Sequence, residues 1–382
     1  MSETAEMNTT DWVMHPGFFL KEEMDARGWL QRDLAFILGV PEQAVNVILS
    51  GKRGISPDMA RALGDAFDVN PEFFANLQKA YDLSKASAPN PGVAIRAQMQ
   101  SKFPVREMIR RGWIEDGDAR MLQAQLSRFF GVPTPGDIPF LEFAHAAKKT
   151  SYEERNIDPV QLAWMSRVKQ IAASTVAPRY SEKLLRDSLP KLEALLYSPD
   201  EARHVPKTLL EAGVRLVIVE KLPQGNIDGV CLWLDDRSPV IGLSLRYDRI
   251  DNFWFVLRHE IEHVLRGDGQ EHEILDELDG EKASSAASLP PEERAANAVA
   301  SQFCAPGDKI DSFIARKRPY YYEKDVIALS RLLHRHPGLV VGQMQHKLND
   351  YAYLRKHQVK IRSHVVPWAT CDGWGESVSV YL

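Results

Sequence analysis

The apolar residues of this chain keep a helical period at its N-terminal end and change to strand-like runs near its middle. Between residues 15 and 82 they recur at helical spacing in short segments broken by glycines. The pattern predicts helices over 17–27, 30–38, 41–49 and 56–67, with stops at Gly28, Gly39 and Ser50-Gly51. Ser56 caps the fourth, and Pro57 takes its first helical position. The second and third are short, meet at a glycine-containing turn and carry the small Ala35 at their crossing, which is the helix-turn-helix layout. Residues 84–91, rich in Ser, Ala, Asn and Pro, read as a linker. Two helical stretches follow within 94–150. Three more lie within 158–213, with Trp164, Leu192, Leu195 and Leu196 as core.

Three β-like runs at 214–219, 229–234 and 240–245 then predict a small antiparallel sheet. The apolar run 252–265 predicts one buried helix packed against it. Residues 267–289 are acidic and Ala/Ser-rich and read as a mobile loop over a cleft mouth. An edge strand beside such a cleft suits an extended chain, which can add to it by main-chain hydrogen bonds. Ala and Glu dominate 292–300, between Pro290-Pro291 and Pro306, so a further helix is expected there. The fold class is multidomain and mainly α, with an N-terminal helix-turn-helix bundle and an α+β domain containing the small antiparallel sheet. The domains expected are 15–82, a helical spacer or interaction region at 92–157, the α+β domain at 158–350 and a C-terminal tail at 351–382 with no assigned role.

At 382 residues the chain is long for one core, and its 44% apolar and 26% charged residues are ordinary for a soluble protein. No apolar run reaches the twenty or so residues that cross a bilayer, and the first residues lack the basic start and apolar core of a signal peptide. Cys231, Cys304 and Cys371 are few, odd in number and far apart, which fits reduced thiols in the cytoplasm. The expectation is a cytoplasmic protein with no membrane contact. A net charge of −5 argues against bulk attraction to nucleic acid, so any DNA contact must be local.

The chemistry concentrates in His259-Glu260-Ile261-Glu262-His263, inside the predicted buried helix. Residues four apart share a helix face, so both imidazoles can reach one ion. Imidazoles are ligands that zinc favours, and Glu260, one step round, is placed to take a proton from water. About thirty residues on, Glu293 and Asn297 share a face of the next predicted helix. Glu293 can complete a His₂Glu set, and Asn297 can hydrogen-bond a ligand histidine from behind. Glu292, Glu271 and His272 are weaker candidates for the third ligand. A third histidine six residues after the second is absent, because Gly269 stands there. His334-Arg335-His336 lacks ligand spacing and reads as a surface cluster.

At these residues the chain resembles the ImmA/IrrE family of metallopeptidases. The likeness lies in the His-Glu-x-x-His helix, the Glu293-to-Pro306 stretch ending Phe303-Cys304-Ala305-Pro306, and the upstream run Leu245 to Phe255. It covers roughly residues 160–350. Glu262 replaces the small residue usual before the second histidine, and Cys304-Ala305 replaces a bulkier apolar pair. The resemblance implies a zincin-like domain in which His259, His263 and Glu293 bind Zn²⁺ and Glu260 is the catalytic base. Tyr247 and His272 are the candidates for oxyanion stabilisation.

The N-terminal segment resembles the Cro/C1-type repressor domain, and within it HigA-like antitoxins. Leu30 to Ala35, Val45-Asn46, Gly51 to Ala60 and Asn70-Pro71-Glu72-Phe73-Phe74 carry the likeness. It implies that Gln43 and Asn46 face base edges while Gln31, Arg32, Lys52 and Arg53 touch phosphate. Pro41, Glu42, Ala44 and Val47 depart from the polar or basic residues usual there, and acidic residues slightly outnumber basic ones between 15 and 85. Together the two resemblances imply a homodimeric, operator-binding transcriptional regulator with a zinc metallopeptidase domain that cleaves itself or a partner repressor in response to a signal. The alternative is a non-enzymatic HigA-like antitoxin or repressor, with a toxin partner and a structural or vestigial zinc site.

Overall fold

The computed structural model describes residues 13–141, 157–270, 274–276 and 290–380, and the chain divides into two units, Met1–Asn90 and Pro91–Leu382. The smaller unit is a bundle of α1 (Pro16–Arg27), α2 (Gln31–Leu38), α3 (Glu42–Leu49), α4 (Pro57–Phe67) and α5 (Pro71–Lys85). Gly28 and Gly39 end α1 and α2 with φ of 67° and 65°, a backbone that glycine adopts without steric cost. Leu20, Leu34, Val45, Ile48, Leu63, Phe67 and Phe74 form its core. The fifth helix is an addition to the four read from periodicity. Its start is written in the sequence: the Asn70 side chain accepts from the Glu72 N–H at 2.8 Å and Pro71 opens the helix. The helix therefore extends into the predicted linker, leaving residues 86–90 before α6 (Pro91–Lys102).

In the larger unit, where two helical stretches are expected after the linker, the described residues form three: α6, α7 (Val105–Arg110) and α8 (Ala119–Phe130). Pro104 causes the extra break, since it donates no backbone hydrogen bond and disfavours helix at Phe103. Next come α9 (Pro159–Ser174), α10 (Glu182–Ala194), α11 (Val205–Glu211), β1 (Arg215–Val219), β2 (Gly229–Trp233), β3 (Pro239–Leu243) and α12 (Ile250–Arg266). The rest is β4 (Ile274–Asp276), α13 (Pro291–Cys304), α14 (Gly307–Lys317), α15 (Glu323–Leu332), α16 (Pro337–Leu348), α17 (Arg362–Val365) and β5 (Thr370–Asp372). The acidic loop expected at 267–289 is described only in part. Residues 274–276 form β4, whereas 271–273 and 277–289 lie outside the described residues.

The sheet is mixed, in the order β4-β2-β3-β1-β5. That corrects the antiparallel sheet expected from sequence. β2 runs antiparallel to β3 and β4, but β1 runs parallel to β3 and β5. The physical reason is burial of both faces, which favours continuous apolar runs over alternation. Leu216, Ile218, Cys231, Trp233, Ile241 and Leu243 face the core that contains α12. Val217, Val219, Val230, Leu232 and Val240 face a second core built on α6–α9. From the stretch 92–157, read from sequence as a helical spacer or interaction region, Met99, Phe103, Met108, Trp113 and Leu126 thus join the covering of that second face. No helix among the described residues is long and apolar enough to cross a membrane.

Candidate metal centre and nucleic-acid interface

Helix α12 is buried along most of its length, through Phe253, Trp254, Val256, Leu257, Ile261 and Val264. Its partner α13 buries Ala296 and Ala300, three and seven residues past Glu293 on the same face. Small residues on that face let α13 approach closely enough for Glu293 to meet both histidines. The His259 and His263 Nε2 atoms lie 3.0 Å apart. Glu293 Oε2 stands 3.2 Å from the first, and Oε1 3.4 Å from the second. Ligands 2.0–2.1 Å from a tetrahedral zinc must stand about 3.3 Å apart, so this spacing and donor set fit a His₂Glu zinc site. Among the described residues, no other set of three such side chains converges. Both histidines and Glu260 are fully buried.

The Glu260 side chain is directed towards β2, where it lies over Gly229. A Cβ at that glycine would overlap Glu260 Oε1 and stand 2.8 Å from Val256 Cγ1. Glu262 does not crowd the centre. It takes the outer face of α12, hydrogen-bonded to Arg258 at 2.9 Å and Arg266 at 3.2 Å. Burial raises its pKa, but the hydrogen bonds and charges of the two arginines outweigh this and hold the carboxyl below its ordinary range.

Two further partners escaped the sequence reading. The first is Asp268, whose Oδ2 lies 3.0 Å from His263 Nδ1. The second is Gly229. Asn297 follows Glu293 by one turn, and its Oδ1 is buried with no hydrogen-bond partner among the described residues. Of the rival ligands, Glu292 is exposed, and Glu271 and His272 lie outside the described residues. Tyr247 is half exposed beneath the Arg246 guanidinium, 4.6 Å away. In the former histidine cluster, His336 caps α16 and Arg335 is buried, bonding Glu193 and the Phe303 carbonyl. The three cysteines are buried and unbridged, and burial pushes the Cys371 thiol up to about 12.

In the smaller unit, Val45 and Ile48 turn one face of α3 inward. Gln43 and Asn46 are exposed on the other. Arg32, Lys52 and Arg53 are also exposed, and Gln31 is half-buried at the start of α2. The turn after α3 is fixed by the Lys52 and Arg53 N–H groups, which both donate to the Val47 carbonyl at 2.9 and 3.0 Å.

These features define a two-part protein: a helix-turn-helix bundle followed by an α+β domain with a His–Glu centre. The helix-turn-helix family model matches residues 20–74 and the IrrE N-terminal-like domain model matches residues 211–349. The chain belongs to the helix-turn-helix family, and it joins to that module an IrrE N-terminal-like domain. Among curated proteins it is similar to virulence-associated protein A′ of Dichelobacter nodosus, 43% identical over 72 residues, which is 19% of this chain and 63% of that protein. Virulence-associated protein I of the same organism is 33% identical over 84 residues, 22% of this chain and 78% of that protein. The match thus spans less than two thirds of the first relative's length. Among solved structures, PA4674 of Pseudomonas aeruginosa in complex with its operator DNA is 41% identical, covering 20% of this chain and 84% of that one with a TM-score of 0.20.

Proposed function

We propose that this protein is a DNA-binding transcriptional regulator whose second unit is a zinc-dependent endopeptidase, cutting its own chain or a partner repressor when a signal releases it. The observation that carries this reading is the convergence of two imidazole Nε2 atoms and one carboxylate beside a buried Glu260. His259, His263 and Glu293 hold the ion. Bound zinc supplies a Lewis acid that polarises a scissile carbonyl and makes water more acidic. Glu260 takes the proton of the attacking water on its carboxylate and passes it to the departing amine. Residues 86–90 are exposed and outside any helix, so they suit cleavage of the chain's own link between its units.

The test is metal analysis of the purified chain together with mass spectrometry of its fragments, with and without chelator. About one zinc per chain is expected, and His263→Ala should lose it. Glu260→Gln should keep zinc and lose every chelator-sensitive fragment, whether from the chain itself or from a partner repressor in the native host. Identical fragments from wild type and Glu260→Gln would remove the peptidase and leave a repressor with a structural zinc site.

For the first unit, the exposed Gln43 and Asn46 read base edges, and Gln31, Arg32, Lys52 and Arg53 fix the register on phosphate. A homodimer reading two half-sites a helical turn apart supplies the affinity that one small module lacks. Asn46→Ala should weaken operator binding by roughly 1–3 kcal/mol and leave binding to random DNA unchanged. Equal affinity of the wild type for its own promoter and for random DNA at moderate salt would overturn this half of the reading.

A further inference from the structure

The end of α12 bends back onto its own last histidine. Gly267 takes a φ of 75° and donates its N–H to the Val264 carbonyl at 3.1 Å, while Asp268 donates its N–H to the His263 carbonyl at 2.9 Å. This pair of bonds is the Schellman ending, which needs a left-handed residue, and glycine supplies it at least cost. The consequence is chemical. The residue after the glycine returns over the last turn, and there it is an aspartate whose Oδ2 sits 3.0 Å from His263 Nδ1. The contact is made by the nitrogen that faces away from the converging Nε2 atoms.

Strand β2 holds that turn from the other side. Trp233 Nε1 donates to the Asp268 carbonyl at 2.8 Å, and Cys231 Sγ stands 3.5 Å from the same oxygen. Gly269, with a φ of 82°, is pressed against the Cys231 backbone, and a Cβ there would lie 2.8 Å from the Cys231 carbonyl oxygen. Asp268 is therefore fixed through its N–H, its carbonyl and its carboxylate, and all three contacts lie on α12 or β2.

We infer that Asp268 is the positioning residue of the metal centre. It accepts the Nδ1–H of His263, fixes the ring's tautomer and rotation, and leaves the Nε2 lone pair directed at the ion. This rests on the metal site proposed above, and gives His263 the kind of partner that the sequence suggested Asn297 could be to a ligand histidine.

The experiment compares the zinc affinities of the full-length wild type, Asp268→Ala and Asp268→Asn by competition with a chromophoric chelator, alongside thermal unfolding of the metal-free proteins. Asp268→Ala should bind zinc 10–100-fold more weakly, the usual range for loss of such a partner. Asp268→Asn still presents an oxygen to Nδ1–H and should recover most of that loss. The metal-free midpoint of Asp268→Asn should match the wild type, whereas Asp268→Ala, which leaves the buried His263 Nδ1–H without its acceptor, should unfold at a lower temperature. Wild-type affinity in Asp268→Ala overturns the inference alone. So does a loss that Asp268→Asn fails to recover while its own metal-free midpoint falls as well, which would make Asp268 a structural contact of the turn and nothing more. A wild type that binds no zinc would remove the metal site itself, and the positioning role with it.

Discussion

Gly229 has a backbone φ outside the left-handed region, so nothing in its own conformation calls for glycine. Glycine in a strand interior also weakens the strand. The explanation lies above it, where the buried Glu260 carboxylate occupies the space a methyl group would need. Gly229→Ala is therefore expected to fold and to bind zinc like the wild type. Its chelator-sensitive cleavage should fall by about 10²-fold, the cost that a displacement of about 1 Å can carry. Zinc content and fragment yield measured on the same preparation check this, and full cleavage by Gly229→Ala would show that Glu260 is aimed by something else. At this scale, legibility followed local helical pattern. His259 and His263 could be paired because four residues on a helix fix a shared face. Glu293 followed from helical spacing against Asn297 and from the family likeness. Gly229 was not legible, because its partner is a helix about thirty residues away across the sheet. Asp268 was nearer to view, in His263-x-x-x-Gly267-Asp268, but it becomes a partner only once Gly267 is known to end the helix in the left-handed form.

Among the elements, helices marked by glycines and capped by Ser56 or Asn70 were the most legible, since each boundary has a local chemical cause. Strand positions were legible as well, but not their directions. Pairing between β1 and β3 or β5 depends on what covers the two faces, and α6–α9 cover one of them from as far as about a hundred residues upstream in the chain. The C-terminal residues show the same limit. Asp372 on β5 is buried, accepts from Trp113 Nε1 at 2.8 Å and pairs with Arg167 Nη2 at 2.5 Å. Arg167 also donates to the Val378 carbonyl at 2.6 Å. A buried carboxylate is tolerable only with such partners, and these come from α9 and from the turn after α7. The tail to which sequence gave no role thus contributes Thr370–Asp372 as an edge strand of the central sheet, tied into the core by one carboxylate. No local pattern announces an Asp whose partners lie more than two hundred residues away.

At the scale of the whole molecule, no hydrophobic core among the described residues is shared by the units: residues 20–74 build that of the smaller, and the cores on the two faces of the sheet in the larger draw on residues 99–371. The proposed function divides in the same way, with DNA held by the first unit and zinc by the second. Anything that binds only a folded state stabilises the unit it binds by RT ln(1 + [L]/Kd), about 2.7 kcal/mol at a hundredfold excess over Kd. For a bundle the size of the smaller unit, that is a rise of roughly 10–20 °C in its unfolding midpoint. On the proposed reading the larger unit should respond to zinc instead, because His259, His263 and Glu293 come from two helices that a bound ion would tie together. Calorimetry of the full chain is therefore expected to show two transitions. Operator DNA should raise one and leave the other in place, and a chelator should lower the second without moving the first. In the His263→Ala variant the chelator effect should vanish while the DNA effect remains. A single transition moved by both ligands would mean that the units unfold as one, and cleavage at residues 86–90 would then have to break that coupling before it could release the DNA-bound unit.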